Sequence, residues 1–135
     1  MKVVVAPDSF KGTLAAADAA RAIADGWRTV RPNDDLVLLP MADGGEGTLA
    51  AFELAVPAAR RVPVTVDGPD GKPHDTHWVL LPDGTGVVEL AATSGIELLD
   101  APLPWAATTR GFGQAIADAL QYGVTRLVLG IGSSA

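Results

Sequence analysis

The strongest constraint on the fold is a unit that occurs twice before Pro57: a short apolar run, a loop, then a segment with helical periodicity. Residues 1–6 are Val-rich and bounded by Pro7, which suits a strand buried on both faces, as in a parallel sheet. From Thr13 onward, Leu14, Ala17, Ala20, Ile23, Ala24, Trp27 and Val30 recur at helical spacing, with Thr13 placed to cap the start and Pro32 to mark the stop. Leu36, Val37, Leu38 and Leu39 form a second apolar run, ended by Pro40 and a glycine-rich loop. Residues 48–56 then read as a helix stopped by Pro57. Strand, loop and helix in succession, twice, predict parallel βα units. Their right-handed crossover would put both strand-to-helix loops at the carboxyl edge of the sheet.

The pattern changes near Arg61. Residues 62–66, 77–81 and 87–91 read as strands separated by turn segments containing Gly68-Pro69-Asp70-Gly71 and Pro82-Asp83-Gly84, which predicts an antiparallel meander. A loop rich in Ala, Thr, Ser and Pro runs to Thr109. A helix with Phe112, Ile116, Ala119 and Leu120 on one side follows as far as Gly123, and residues 126–129 form a last strand. The fold class is therefore α/β, with parallel βα units followed by a mixed, partly antiparallel second lobe, divided into residues 1–61 and 62–135. The last strand runs into Gly130-Ile131-Gly132-Ser133-Ser134-Ala135 with no helix after it, so the fold reads as incomplete at its C-terminus.

With 135 residues, 48% of them hydrophobic, the chain can bury one core or two small lobes. The absence of cysteine removes disulfides, thiolate zinc sites and catalytic thiols. A formal charge of −6 argues against nucleic acid as a partner, and the lone basic pair Arg60-Arg61 reads as solvated. No apolar run approaches the ~20 residues that span a bilayer, and the first segment meets Pro7 too early for a signal peptide. The expectation is a cytoplasmic chain with no membrane partner. His74 and His77 lie among turn residues with no third ligand nearby and read as surface residues.

Two loops concentrate the reactive groups. The first offers Asp8, Ser9 and Lys11 directly after a buried strand, with Gly12 free to take an unusual backbone conformation. Lys11 suits a phosphate or carboxylate, and a helix starting at Thr13 would add N–H donors and positive dipole. The competing reading is an Asx-turn at Asp8 that merely caps the helix. The second loop sets Asp43 and Glu46 around Gly44 and Gly45, before Gly47. Three glycines in four residues imply close backbone approach, and carboxylates beside them could hold Mg²⁺ or orient a hydroxyl. Otherwise the loop is a tight turn whose acids favour the next helix. The final Gly130-Ile131-Gly132-Ser133-Ser134-Ala135 matches G-x-G-x-x-A, where Ser133, Ser134 and loop amides could contact a phosphate. Thr108-Thr109-Arg110-Gly111 stands at a helix start, with Thr109 as its cap.

Set side by side, these segments resemble the bacterial glycerate kinases of type I. The resemblance is carried by Ala6-Pro7-Asp8-Ser9-Phe10-Lys11-Gly12-Thr13-Leu14, by Pro40-Met41-Ala42-Asp43-Gly44-Gly45-Glu46-Gly47-Thr48, by Val66-Asp67-Gly68-Pro69, by Ala91-Ala92-Thr93-Ser94-Gly95, and by the final six residues. It implies ATP-dependent phosphorylation of D-glycerate with Mg²⁺, and a flavodoxin-like lobe with a second α/β lobe inserted in it. On that likeness Asp8, Lys11 and Asp43 are catalytic residues, and Glu46 and Asp43 are metal ligands. Ser9, Gly44, Gly45, Gly47, Ser94, Gly132, Ser133 and Ser134 would bind substrate or phosphate. The two early loops would line one wall of a cleft, opposite the loops of Ser94 and Gly132. Family members run to more than twice this length and favour a second glycine where this chain has Ser133, a substitution that costs stability if the position needs positive φ. Two other classes remain as alternatives. One is a non-catalytic anion-binding fragment or an inactive remnant of such a kinase. The other is an NAD(P)-dependent oxidoreductase, prompted by the terminal G-x-G-x-x-A, against which the first strand lacks the glycine fingerprint.

Overall fold

The computed structural model describes all residues 1–135. It contains six strands and four α-helices: β1 (Lys2–Val5), α1 (Ala16–Val30), β2 (Asp35–Leu38), α2 (Thr48–Ala55), β3 (Arg60–Asp67), β4 (Pro73–Leu80), β5 (Thr85–Glu89), α3 (Leu90–Ser94), α4 (Arg110–Tyr122) and β6 (Arg126–Gly130). A single 3₁₀ turn, Ile96–Leu98, follows α3. The chain divides into two compact units, Met1–Asp43 and Gly44–Ala135.

In the first unit β1 and β2 pair in parallel, Val3 opposite Leu36 and Val5 opposite Leu38, with α1 as the crossover. Val5 is buried, but Val4 on the other face is 55% exposed, so the expected burial of β1 on both faces is not met here. The helix starts at Ala16 rather than Thr13, because residues 10–13 close a tight turn first. Thr13 donates both its N–H, at 2.8 Å, and its hydroxyl, at 2.7 Å, to the Phe10 carbonyl, and caps nothing. Ala19, Ala20 and Ala24 form the buried stripe, whereas Ile23 and Val30 stay exposed. At the far end of α1 the Asp34 carboxylate gathers the Met1 ammonium at 2.7 Å, the Trp27 Nε1–H at 3.1 Å and the Arg31 guanidinium at 3.3 Å.

The second unit is one sheet in the order β3-β4-β5-β6. The predicted meander is present as antiparallel β3–β4 and β4–β5 pairing, and β6 then joins β5 in parallel after α4 crosses over. Successive residues point to opposite faces of a strand, and the burial follows that rule. Trp78 and Val88 enter one cluster with Val66, Ala115, Ala119 and Val124, against α4. Val79 and Val87, one residue away, enter the other with Leu49, against α2. Packing α2 onto β4 and β5 is why the compact units part at Asp43, while the change to antiparallel pairing comes at β3.

Polar contacts fix these layers. Arg61 stays exposed, as expected, but it is also ion-paired: its guanidinium forks onto the Glu53 carboxylate of α2 at 2.7 and 2.6 Å, and His77 of β4 reaches the same group at 3.3 Å. Arg61, then His77, hold the Glu53 carboxyl below its usual range. His77 and His74 are both half-buried rather than surface residues, with His74 Nε2 3.2 Å from the Ala92 carbonyl. Buried Trp78 donates its indole N–H to Asp118 at 2.8 Å and meets Tyr122 edge-on, ring centroids 5.3 Å apart. On α4, Leu120 is 54% exposed and lies off the apolar stripe of Ala115 and Ala119. Gly123 closes that helix in the left-handed conformation, φ 102°. Thr109 makes no cap bond; Thr108 Oγ1 accepts the Arg110 N–H at 3.2 Å instead.

Gly111 lets α4 touch β3, since a Cβ there would lie 2.1 Å from the Asp67 carbonyl oxygen. Gly111→Ala is expected to lower the stability of the second unit by about 2–3 kcal/mol, as over-packing of a rigid backbone contact does. The urea midpoint of the variant against the parent checks this. The first unit should show its own acid response. The Met1 ammonium, then Trp27 and Arg31, lower the Asp34 carboxyl from 3.8 to about 2. A lowered carboxylate stabilises the fold above its unfolded pKa and loses that contribution as pH falls through its folded one. Acid unfolding of the parent should therefore steepen between pH 4 and 2, and Asp34→Asn should remove that part of the slope.

Candidate functional site

Parallel pairing brings the ends of β1 and β2 to one edge of the first unit. The Leu39 N–H donates to the Val5 carbonyl at 2.8 Å and Met41 N–H to the Pro7 carbonyl at 2.9 Å, so the segments leading to Asp8 and to Asp43 run side by side. Asp8 turns its carboxylate onto the Ser9 N–H at 2.7 Å; it does not cap α1, whose N-cap is Ala15. Lys11 is exposed at the tip of the 10–13 turn, which Gly12 closes at φ 71°. The first helical amides thus lie beyond the turn, and Lys11 is a cation on an exposed hairpin rather than part of a helix start. Asp43 is exposed as the last residue of this unit.

In the second unit the glycine loop at residues 44–47 lies against the loop after β6. A Cβ on Gly132 would be 2.6 Å from both Cα and N of Gly45, and one on Gly130 would be 3.0 Å from the Gly44 carbonyl. The glycines of the terminal G-x-G-x-x-A are therefore spent on the chain's own backbone, not on a dinucleotide pyrophosphate. Gly44 and Gly47 take φ of 101° and 92°, conformations a side chain would strain. Ser133, next to Gly132, is the one non-glycine residue with positive φ, at 53°. Its hydroxyl donates to the Glu46 carboxylate in a short contact. The position does demand glycine-like backbone, and serine is held there with its side chain on a carboxylate.

Not every residue in the predicted set faces this junction. Ser94 is fully buried; its hydroxyl accepts the Phe112 N–H at 3.3 Å, joining α3 to α4. Ser134 is exposed, bridged through its backbone to Gly95, with its hydroxyl 3.2 Å from the Ala135 carbonyl. No three His, Asp or Glu side chains gather into a metal cluster. The oxygens that do meet, the Glu46 carboxylate and the Ser133 hydroxyl, are of the hard type Mg²⁺ takes when phosphate oxygens complete its shell.

Glu89 was not foreseen. It ends a strand in which every residue is buried, is itself 5% exposed, and accepts the Leu49 N–H of α2 at 2.8 Å. Burial pushes its carboxyl up and the nearby Glu46 charge adds to that, while the amides of Leu49, Gly47 and Thr48 pull it down. A carboxylate inside the apolar run Val87-Val88-Glu89-Leu90-Ala91 was the available signal, because such a residue must find donors.

The glycerate kinase family model matches residues 3–135, and the chain belongs to that family. It is 44% identical over 138 residues to glycerate 2-kinase of Escherichia coli K12 and 45% identical to a glycerate kinase of Bacillus subtilis 168. A solved Salmonella typhimurium LT2 protein assigned as glycerate kinase 2 superposes with a TM-score of 0.75 at 41% identity, over 99% of this chain and 37% of that one. The chain spans 36% of the length of the two curated relatives.

The contact between the two loops has a direct test. Gly132→Ala places a methyl group where Gly45 backbone stands, so the loops must part. The expected result is a loss of about 1–3 kcal/mol with faster amide exchange at Gly45, while Trp78 packing stays intact. Thermal melts and amide exchange of the parent and the variant check it.

Proposed function

We propose that this chain carries residues for ATP-dependent phosphorylation of D-glycerate, a phosphoryl transfer to a hydroxyl that would make the protein of which it is part a kinase. The observation that carries the proposal is the junction of two glycine loops around Glu46 and Ser133 in a member of the glycerate kinase family. Support also comes from the names of the relatives in Escherichia coli and Bacillus subtilis. The lobes proposed are residues 1–61 and 62–135, and the setting is the cytoplasm; no helix is long and apolar enough to cross a membrane.

Phosphoryl transfer is governed by positioning and charge neutralisation more than by covalent chemistry. Asp8 or Asp43, on adjacent segments of the first unit, orients the glycerate hydroxyl and takes its proton. Lys11, exposed on a turn, binds the substrate carboxylate or the transferring phosphoryl group. Ser9, Gly44, Gly45, Gly47, Gly132 and Ser133 contribute hydroxyl and backbone contacts, and Ser134 stands beside them in sequence. Ser94 acts only through the α3–α4 junction it holds. Glu46, with Asp43, would hold Mg²⁺, which when bound neutralises charge on the phosphate oxygens of ATP.

Steady-state kinetics with D-glycerate and Mg-ATP, on the chain extended to its relatives' length, test the assignment. Lys11→Ala and Asp43→Ala should each lower kcat/KM by about 10²- to 10⁴-fold. Turnover within a few-fold of the parent would remove these residues from the mechanism. Calorimetry of the 135-residue chain with Mg-ATP and with glycerate reads binding separately from turnover.

A further inference from the structure

We propose that Glu89 is a positioning residue of this site. From the end of β5 it holds the N-terminus of α2, and so keeps the Glu46 loop in register with the loop of Gly130, Gly132 and Ser133.

Burying a carboxylate in an apolar strand costs several kcal/mol unless donors meet it. No Lys, Arg or His forms an ion pair with Glu89. Its partners are backbone amides, with Leu49 N–H at 2.8 Å and those of Gly47 and Thr48 beside it. The Thr48 N–H also has a local acceptor, the Gly45 carbonyl at a long 3.3 Å, whereas the Leu49 N–H is met by Glu89. The N-cap, Gly47, has no side chain, and the Thr48 hydroxyl is committed to the Gly45 carbonyl at 2.8 Å. An eight-residue helix cannot hold itself in place, so its start is located by what it is tied to.

The tie lands at a specific point. In the parallel ladder Glu89 is the register partner of Gly130, and a Cβ on Gly130 would meet both the Gly44 carbonyl and the Thr48 side chain. One carboxylate therefore fixes β5, α2 and the start of the loop after β6 together, with Glu46 three residues before the tethered amide. Glu89 also supplies the negative charge that the α2 N-terminus attracts. That end of the helix is filled by the protein itself, and a substrate phosphate must be met by other groups.

The catalytic part of this inference rests on the kinase reading; the structural part does not, and the experiment reads them apart. In Glu89→Gln one acceptor oxygen survives and an NH₂ faces the remaining amides. Hydrogen exchange on the 135-residue chain should show Gly47, Thr48 and Leu49 exchanging at least about tenfold faster, the loss of roughly one hydrogen bond, with Val87 and Val88 unchanged. In the chain extended to its relatives' length, kcat should fall about 10- to 100-fold while KM for Mg-ATP stays within about threefold, as expected when a catalytic loop is misplaced by about 1 Å. Unchanged protection of the three amides overturns the proposal, and so does freed amide exchange with kcat within about threefold of the parent. If the unsubstituted extended chain does not phosphorylate glycerate, the kinase reading is what fails, and amide exchange alone decides whether Glu89 holds the loop. Should Glu89→Gln not fold, Glu89→Asp keeps the charge with a shorter reach, and full parental protection in that variant overturns the proposal.

Discussion

The Leu49 amide at the start of α2 finds its acceptor forty residues away, in the carboxylate of Glu89, and the carboxyl edge of the second unit is built around that bond. An ionised group in a strand of Thr, Gly and Val is unfavourable by itself. It is tolerated because the Leu49 N–H, orphaned at a helix start, donates to it with the amides of Gly47 and Thr48 beside it, and charged hydrogen bonds are stronger than neutral ones. Burial still dominates, since the carboxyl is raised despite those donors. A group that is costly to bury and costly to free fixes geometry well, because each displacement strands both partners.

Around that anchor, the loops meet through missing side chains. Gly130 and Gly132 admit the backbone of Gly44 and Gly45 at distances no Cβ would permit. Ser133 departs from that economy with a positive φ, and its hydroxyl is held by Glu46. Backbone strain of this kind persists where surrounding contacts over-determine it, and such places cluster at functional sites. In a member of the glycerate kinase family the strain lies in one of the segments that resemble the family's glycine loops.

Much of the architecture was readable because periodicity reports burial directly. Residues 77–81 and 87–91 read as strands because apolar runs there are bounded by turn residues, and Pro32, Pro57 and Gly123 stop helices for local reasons. Errors arose where a local rule met a competing contact, near or far in sequence. Thr13 has the chemistry of a helix cap, but the Phe10 carbonyl captured both its donors in a turn. Leu120 fits the helical spacing yet falls off the stripe that faces the sheet. Ser94 lies in a family-like motif, and its hydroxyl serves Phe112 instead of facing solvent. His77 sits near turns in sequence but reaches Glu53 on a helix packed against its strand.

The sequence by itself determined which segments become strands, helices and turns, and which loops hold glycine beside carboxylate. Those properties depend on neighbours within a few residues, through period, capping and backbone freedom. Only the tertiary structure decided that Glu89 caps α2, that Gly132 lies on Gly45, and that Ser133 reaches Glu46. Each joins residues 40 or more positions apart. Such pairings follow from strand order and register, which long-range packing selects and no local pattern encodes.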